Sequence, residues 1–492
     1  MKNAHAILDR YQLLSSEFTP RRYQYQSAAF FETYLFRNYS ARSIFLDCSP
    51  ELRYILPTSL GQKPKSLQRE DLCLEDENGQ GREAANMHVS NFQEEKRTIP
   101  AAESIGNSGR RYDLDWLRVL VILNLVPWHA AWLMAFVTGF SDSTREGFGI
   151  TILRYYTGFS IRWQIPLLFF IAGASTCLSL GHRSPGVFVR ERARRLFVPL
   201  MFFMLVCYPV LLYFWPGVCD DKSLSDYLVH FWPHCLSTIH HSRMPGRSPM
   251  PGWAHLWFVA YLLIFSLISL PLFISLRRQG ESGLAGKYVS FFTKRYAILL
   301  LAVPLMAINI ILAPKWPMAQ LNLYDDWTYF CYDLTVFIYG YVICLHESLW
   351  QAVYRHLRIS LLLAIISTVF VLAMRFEMPA FSHPAYTPRY MLYSVFLGLH
   401  TWCWILTLLA LARRFLSGTN RFLKYASRVS YPFYILNFLL MVIINHFVVQ
   451  WHMGMAAEFA ALSFLSFAVT LASYELIVKR TKVTRFLFGM KV

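Results

Sequence analysis

Two ionisable residues stand eleven positions apart in one apolar stretch. The segment Arg-Arg-Tyr-Asp-Leu-Asp-Trp-Leu-Arg, residues 110–118, ends in Arg118 and runs on as VLVILNLVPWHAAW, which carries His129. At about 100° per residue, eleven residues make about three full turns, so both side chains leave one face of a helix. At about 1.5 Å per residue, His129 lies about 16 Å beyond Arg118 along the axis. A neutral imidazole there can serve as a general base or a transient acyl acceptor, and a guanidinium can hold an anionic donor. The same residues also fit an arginine snorkelling to an interface and a histidine hydrogen-bonded in packing. Spacing alone leaves both readings open.

The elements that must position this pair are membrane spans. Of 492 residues, 55% are hydrophobic and 16% charged, fewer charges than the quarter usual in soluble domains. The apolar residues fall in long runs, which predicts an all-α integral membrane protein. Ten spans are expected, at about 116–138, 158–180, 196–215, 255–275, 296–313, 327–345, 359–374, 390–411, 431–449 and 457–478. Lys and Arg favour alternate loops by roughly three to one, and the bias holds at every alternation. That places both termini in the cytoplasm, Arg118 near the cytoplasmic boundary and His129 near the membrane middle. The net charge of +17 sits in short clusters between apolar runs rather than in a stripe, which argues against nucleic acid as a partner.

Residues 1–109 differ from the rest. They hold no spanning run, and 62–109 are polar and rich in Glu, Asn, Ser and Gly, as expected of a disordered extension. A start of translation at Met87, upstream of which the extension would be absent, is one expectation for this segment. Residues 110–492 are expected to form the membrane domain. Its longest outer loop, 216–253, carries Asp220, Asp221, Asp226, His230, His234, His240 and His241 and could meet a polar acceptor. Metal binding by His230 and His234 is not expected, because the pair needs a helix and Pro233 intervenes. Cys177, Cys207, Cys331, Cys344 and Cys403 lie in apolar runs and are expected to act as small hydrophobes; Cys219 and Cys235 share the outer loop, where a disulfide is conceivable. Trp128, Trp215 and Trp257 are expected at interfaces or in packing. No Gly-x-Ser-x-Gly or P-loop pattern occurs.

Arg118, ten intervening residues and His129, after Asp-Leu-Asp-Trp-Leu, resemble the opening signature of the membrane acyltransferase 3 family. Further segments agree in order: Pro-Leu-Leu-Phe-Phe-Ile-Ala-Gly at 166–173, Arg-Ala-Arg-Arg-Leu-Phe-Val-Pro at 192–199, His-Leu-Trp-Phe at 255–258, Asp-Asp-Trp at 325–327 and Ser-Tyr-Pro-Phe-Tyr-Ile-Leu at 430–436. The resemblance implies ten helices, with His129 catalytic and Arg118 handling acyl-CoA. Arg192 and Arg195, like the family's Arg-x-x-Arg element, are placed to bind phosphates of coenzyme A, although plain topology explains them equally well. His255, at the outer mouth of the fourth span, could orient an acceptor; Asp326 could do likewise or cap the sixth span. Many relatives have histidine where this chain has Asn437, which cannot titrate. The 325–327 and 430–436 segments are most similar to the branch of the osmoregulated periplasmic glucan succinyltransferase.

These readings predict an enzyme of a bacterial-type inner membrane. It would move an acetyl, succinyl or similar group from cytoplasmic acyl-CoA, a co-substrate, to a hydroxyl of a glycan or other envelope acceptor, with no permanently bound cofactor and no metal. The rival from another class is a transporter using Arg118 and His129 as substrate or proton groups. The absence of internal repeats counts against it.

Overall fold

In hydrocarbon every backbone polar group must be satisfied within the protein, so apolar runs fold as helices. The computed structural model describes residues 111–138, 147–216, 223–241, 253–279, 284–316, 323 and 325–490, and these contain helices and no strand. Among the described residues, eight helices are long and apolar enough to cross a membrane: α1 (Tyr112–Val137), α2 (Phe148–His182), α3 (Pro185–Tyr213), α9 (Trp327–Leu345), α11 (Leu357–Phe376), α12 (Pro388–Phe415), α13 (Arg421–Trp451) and α14 (Met455–Val478). Two bent pairs raise the number to ten if each is one span. One is α5 (Ala254–Ile268) with α6 (Leu270–Gln279), bent by 47°; the other is α7 (Leu284–Phe292) leading into α8 (Ala297–Leu312), bent by 113°. The chain is thus a multi-pass membrane protein. The fourth expected span, 255–275, is broken at Ser269, and the fifth starts at Tyr296, whose left-handed φ of 63° makes the sharper bend.

Burial sorts the helices. Two-thirds of the most apolar window is buried in α2, α12 and α13 (67% each), against 22% in α11 and 28% in α14. The last two therefore lie on the perimeter, with Ile365, Ile366 and Val369 of α11 facing outward. The most extensive pairing is between α2 and α9. It depends on two missing side chains: a Cβ on Gly173 would collide with the Phe337 carbonyl, and one on Gly340 with that of Phe170. Small residues let transmembrane backbones approach in this way.

Prolines supply a second device. Each lacks an N–H for the carbonyl four residues earlier, and in a membrane a neighbouring helix must satisfy that oxygen. Pro166 in α2 frees the carbonyl of Arg162, which accepts from Thr401 Oγ1 of α12 at 2.9 Å. Pro199 in α3 frees the carbonyl of Arg195, which accepts from the Tyr431 hydroxyl of α13 at 2.9 Å. The helix break that proline usually imposes becomes an interhelical hydrogen bond.

One expectation is corrected in the 216–253 loop. Residues Leu224–His241 form a helix, α4, that runs through Pro233. The carbonyl that Pro233 leaves without a donor belongs to Val229, which is exposed, so water can take it. His230 Nδ1 lies 2.9 Å from the Asp226 carbonyl and 3.3 Å from the Asp226 carboxylate. No cluster of three or more metal-ligating side chains occurs among the described residues. The five cysteines of the apolar segments are free thiols, three of them buried. Residues 1–109, Asp220, Asp221, Cys219 and the side chains of His234, Cys235, His240 and His241 lie outside the described residues. A short amphipathic helix, α10 (Glu347–Arg355), joins α9 to α11.

Candidate active site

The start of α1 is anchored before its polar face is used. Arg111 makes a bidentate pair with Asp113 (2.9 and 2.6 Å), donates to Tyr354 Oη at 2.7 Å and lies 4.2 Å over the Trp350 ring. Burial works against the Arg111 charge, but the Asp113 carboxylate outweighs it and lifts the guanidinium above its ordinary range. Burial likewise pushes the Tyr354 hydroxyl up to about 12. This clamp ties α1 to α10 and sets the rotation of α1. Arg118, two turns on, pairs with Asp115 at 2.9 Å and keeps a third of its side chain exposed, 33%.

Eleven residues further, His129 enters an aromatic enclosure. Its ring centre is 5.0 Å from that of Trp128, 4.8 Å from Phe438 of α13 and 6.5 Å from His255 of α5. Nδ1 is buried and has no hydrogen-bond partner. The accessible edge of the ring is therefore the one away from Nδ1. Trp128, expected to pack, donates from Nε1 to the Thr157 carbonyl of α2 at 3.1 Å. Trp215 and Trp132 close the enclosure against Phe438.

His255 is buried rather than standing at an open mouth. Its Nε2 lies 3.1 Å from the Ile435 carbonyl of α13. A carbonyl only accepts, so Nε2 carries the proton and Nδ1 presents a lone pair. That Nδ1 is buried and has no hydrogen-bond partner. Phe203, Tyr434 and Phe438 pack around the ring, and the Tyr434 hydroxyl donates to the His255 carbonyl. Two imidazoles nearly at right angles, one fixed in tautomer, thus share one apolar enclosure between α1, α5 and α13.

The other expected residues lie apart. Asp326 occupies the position before α9 but makes no capping bond; it is buried and its Oδ2 accepts from Tyr261 Oη at 3.0 Å. Its capping role is thereby replaced by a link from α9 to α5. Asn437 bonds through Nδ2 to Thr470 Oγ1 of α14 at 3.3 Å, facing away from solvent. Arg192 donates to Thr176 Oγ1 at 3.0 Å and lies over Phe188, whereas Arg195 is exposed. Arg192 immediately precedes a π-helical turn, Ala193–Phe197, and Arg195 lies within it; such local widening is often met at functional sites.

Residues 111–475 match the family model described as an acyltransferase domain, that of acyltransferase 3. The chain belongs to the acyltransferase 3 family. No curated protein and no solved structure matches it. Membership of this family supports acyl-transfer activity, and among the described residues the His129 enclosure brings two histidines together in an apolar surrounding.

Two charged residues of this acyltransferase, one half-buried and one buried, are not singled out by the sequence reading. Arg162 of α2 donates to Tyr393 Oη at 2.6 Å and to the Gly158 carbonyl at 3.0 Å. Asp333 of α9 is wholly buried with neither carboxylate oxygen bonded. Both are charged residue types inside apolar runs, the signal by which each could have been found.

Proposed function

We propose that the protein transfers an acetyl, succinyl or similar acyl group from cytoplasmic acyl-CoA to a hydroxyl of a glycan or other cell-envelope acceptor. Both termini are then cytoplasmic and the membrane is of the bacterial inner type; the branch is that of the periplasmic glucan succinyltransferase. The observation that carries this reading is the His129 enclosure, about 16 Å along α1 from Arg118 and on the same face.

In this reading Arg192 and Arg195 hold the phosphates of coenzyme A, which suits guanidinium donors. Arg118 steadies the donor along α1. His129 takes the acceptor's proton or carries the acyl group, and His255 and Asp326 line the acceptor side. The acceptor oxygen bonds to the acyl carbon, the C–S bond breaks, and the proton from the hydroxyl ends on the coenzyme A sulfur. No metal or permanently bound cofactor takes part. The test is mass spectrometry of envelope glycans from cells carrying the protein or its His129→Ala variant at equal membrane abundance. Loss of acyl groups in the variant is expected. Unchanged acylation would overturn the reading.

A further inference from the structure

We propose that the C-terminal turn of the chain is a positioning element of the donor site, holding Arg194 and Arg195 in place for a phosphate-bearing thioester. The inference rests on the donor reading given above. Its starting point is the carbonyl of Arg195, which Pro199 leaves without a backbone donor. Tyr431 Oη donates to it from one side. From the other side comes Gly489, after α15 (Lys482–Leu487).

Gly489 adopts φ of +68°, a left-handed conformation that costs a side-chain-bearing residue energy. There is also no space for a side chain. A Cβ at 489 would lie 2.6 Å from the Arg195 carbonyl oxygen, 2.9 Å from the Tyr431 ring and 3.0 Å from Pro199. The turn is tied down on its own account: Gly489 N–H donates to the Phe486 carbonyl at 3.0 Å and Met490 N–H to that of Arg485 at 2.8 Å. Phe488 is buried, its ring 5.5 Å from that of Phe202 in α3. Phe486 lies under the Arg194 guanidinium at 5.1 Å.

The π-helical turn Ala193–Phe197 thus has Gly489 packed closely against its backbone and the Phe486 ring beneath one of its side chains. A π-helical turn is a less regular hydrogen-bonded state, and an outside grip fixes where its arginines point. The matched acyltransferase domain ends at residue 475, so this grip is made by a segment beyond it. Pushing the Arg195 backbone by a few tenths of an ångström or more would misalign a bidentate phosphate contact while leaving the His129 enclosure in place.

Calorimetric titration of coenzyme A into the full-length protein in zwitterionic nanodiscs tests this, with turnover measured alongside. Gly489→Ala should weaken coenzyme A by about tenfold, the loss of one charge-assisted contact. KM for acyl-CoA should rise with kcat at saturating donor nearly kept. With S-acetylpantetheine, which has neither nucleotide nor phosphates, the wild-type-to-variant ratio should be much smaller. Arg195→Ala is the reference: if it leaves coenzyme A binding unchanged, the donor reading itself fails. If Arg195→Ala weakens binding and Gly489→Ala does not, only the positioning role is overturned. An equal loss with S-acetylpantetheine overturns it too, since it would report general damage. Should Gly489→Ala fail to fold, Phe486→Ala removes the ring beneath Arg194 without adding an atom. It should weaken coenzyme A by about threefold, and unaltered binding there would also overturn the proposal.

Discussion

The imidazole of His255 stands edge-on to that of His129, ring centres 6.5 Å apart and planes at 84°, with Phe438 packed against both. One ring belongs to α1 and the other to the start of α5, and α13 supplies both the shared aromatic and the Ile435 carbonyl that fixes the His255 tautomer. Facing histidines in a nearly dry enclosure can divide the work of moving a proton and holding an acyl group.

That division predicts unequal effects. His129→Ala should remove acyl transfer altogether. His255→Gln can still donate from its amide to the Ile435 carbonyl but offers no titrating nitrogen, so transfer should fall by about a hundredfold or more. The two rates, measured on purified protein with acyl-CoA and a hydroxyl acceptor, would refute the pairing if His255→Gln ran at the wild-type rate.

The glycine contacts between α2 and α9 yield a stability prediction. Gly173→Ala or Gly340→Ala places a methyl against a backbone carbonyl that cannot swing aside, since it is held in its own helix. Overpacking of this kind costs about 1–3 kcal/mol. Each variant should unfold earlier than wild type in detergent, and a double variant earlier still. Gly186→Ala, in a position with open space, is the control.

Much of this frame was legible in the sequence, and the reasons are physical. Apolar runs must be helices in hydrocarbon, so α1, α9 and α12 were expected within a few residues, and a helical repeat alone put Arg118 and His129 on one face. The approach of His255 to His129 was not legible, because it joins residues 126 positions apart and depends on how α5 packs on α13. The helix α4 is not legible because a proline ordinarily stops a helix, whereas here the freed carbonyl belongs to Val229, an exposed residue, where the missing bond is tolerated. Gly489 carries no sequence signal of its own; only the freed carbonyl of Arg195 gives it meaning.

Asp333 offers a third test. A buried carboxyl group with two unbonded oxygens costs about 1–3 kcal/mol relative to an apolar group of its shape. Asp333→Leu should therefore raise the unfolding temperature. If the acid is kept for the reaction, transfer should fall in the same variant, the usual exchange of stability for activity. A variant both more stable and fully active would mark Asp333 as a bystander.

The bend between α7 and α8 should respond to acid. The N–H of Tyr296, at the left-handed turn, donates to Nε2 of His356 at 3.4 Å, which requires that nitrogen to be unprotonated. Burial, with Arg355 and Arg295 beside it, holds the His356 pKa below its ordinary value near 6.5. The folded state therefore binds its proton more weakly than the unfolded chain does. Stability from this group is complete above about pH 6.5 and declines as pH falls below that value. His356→Gln, whose side-chain oxygen can accept from Tyr296 at any pH, should flatten this part of the profile. Thermal unfolding between pH 5 and 8 in both proteins checks it: parallel curves would show that the bend does not depend on a neutral His356.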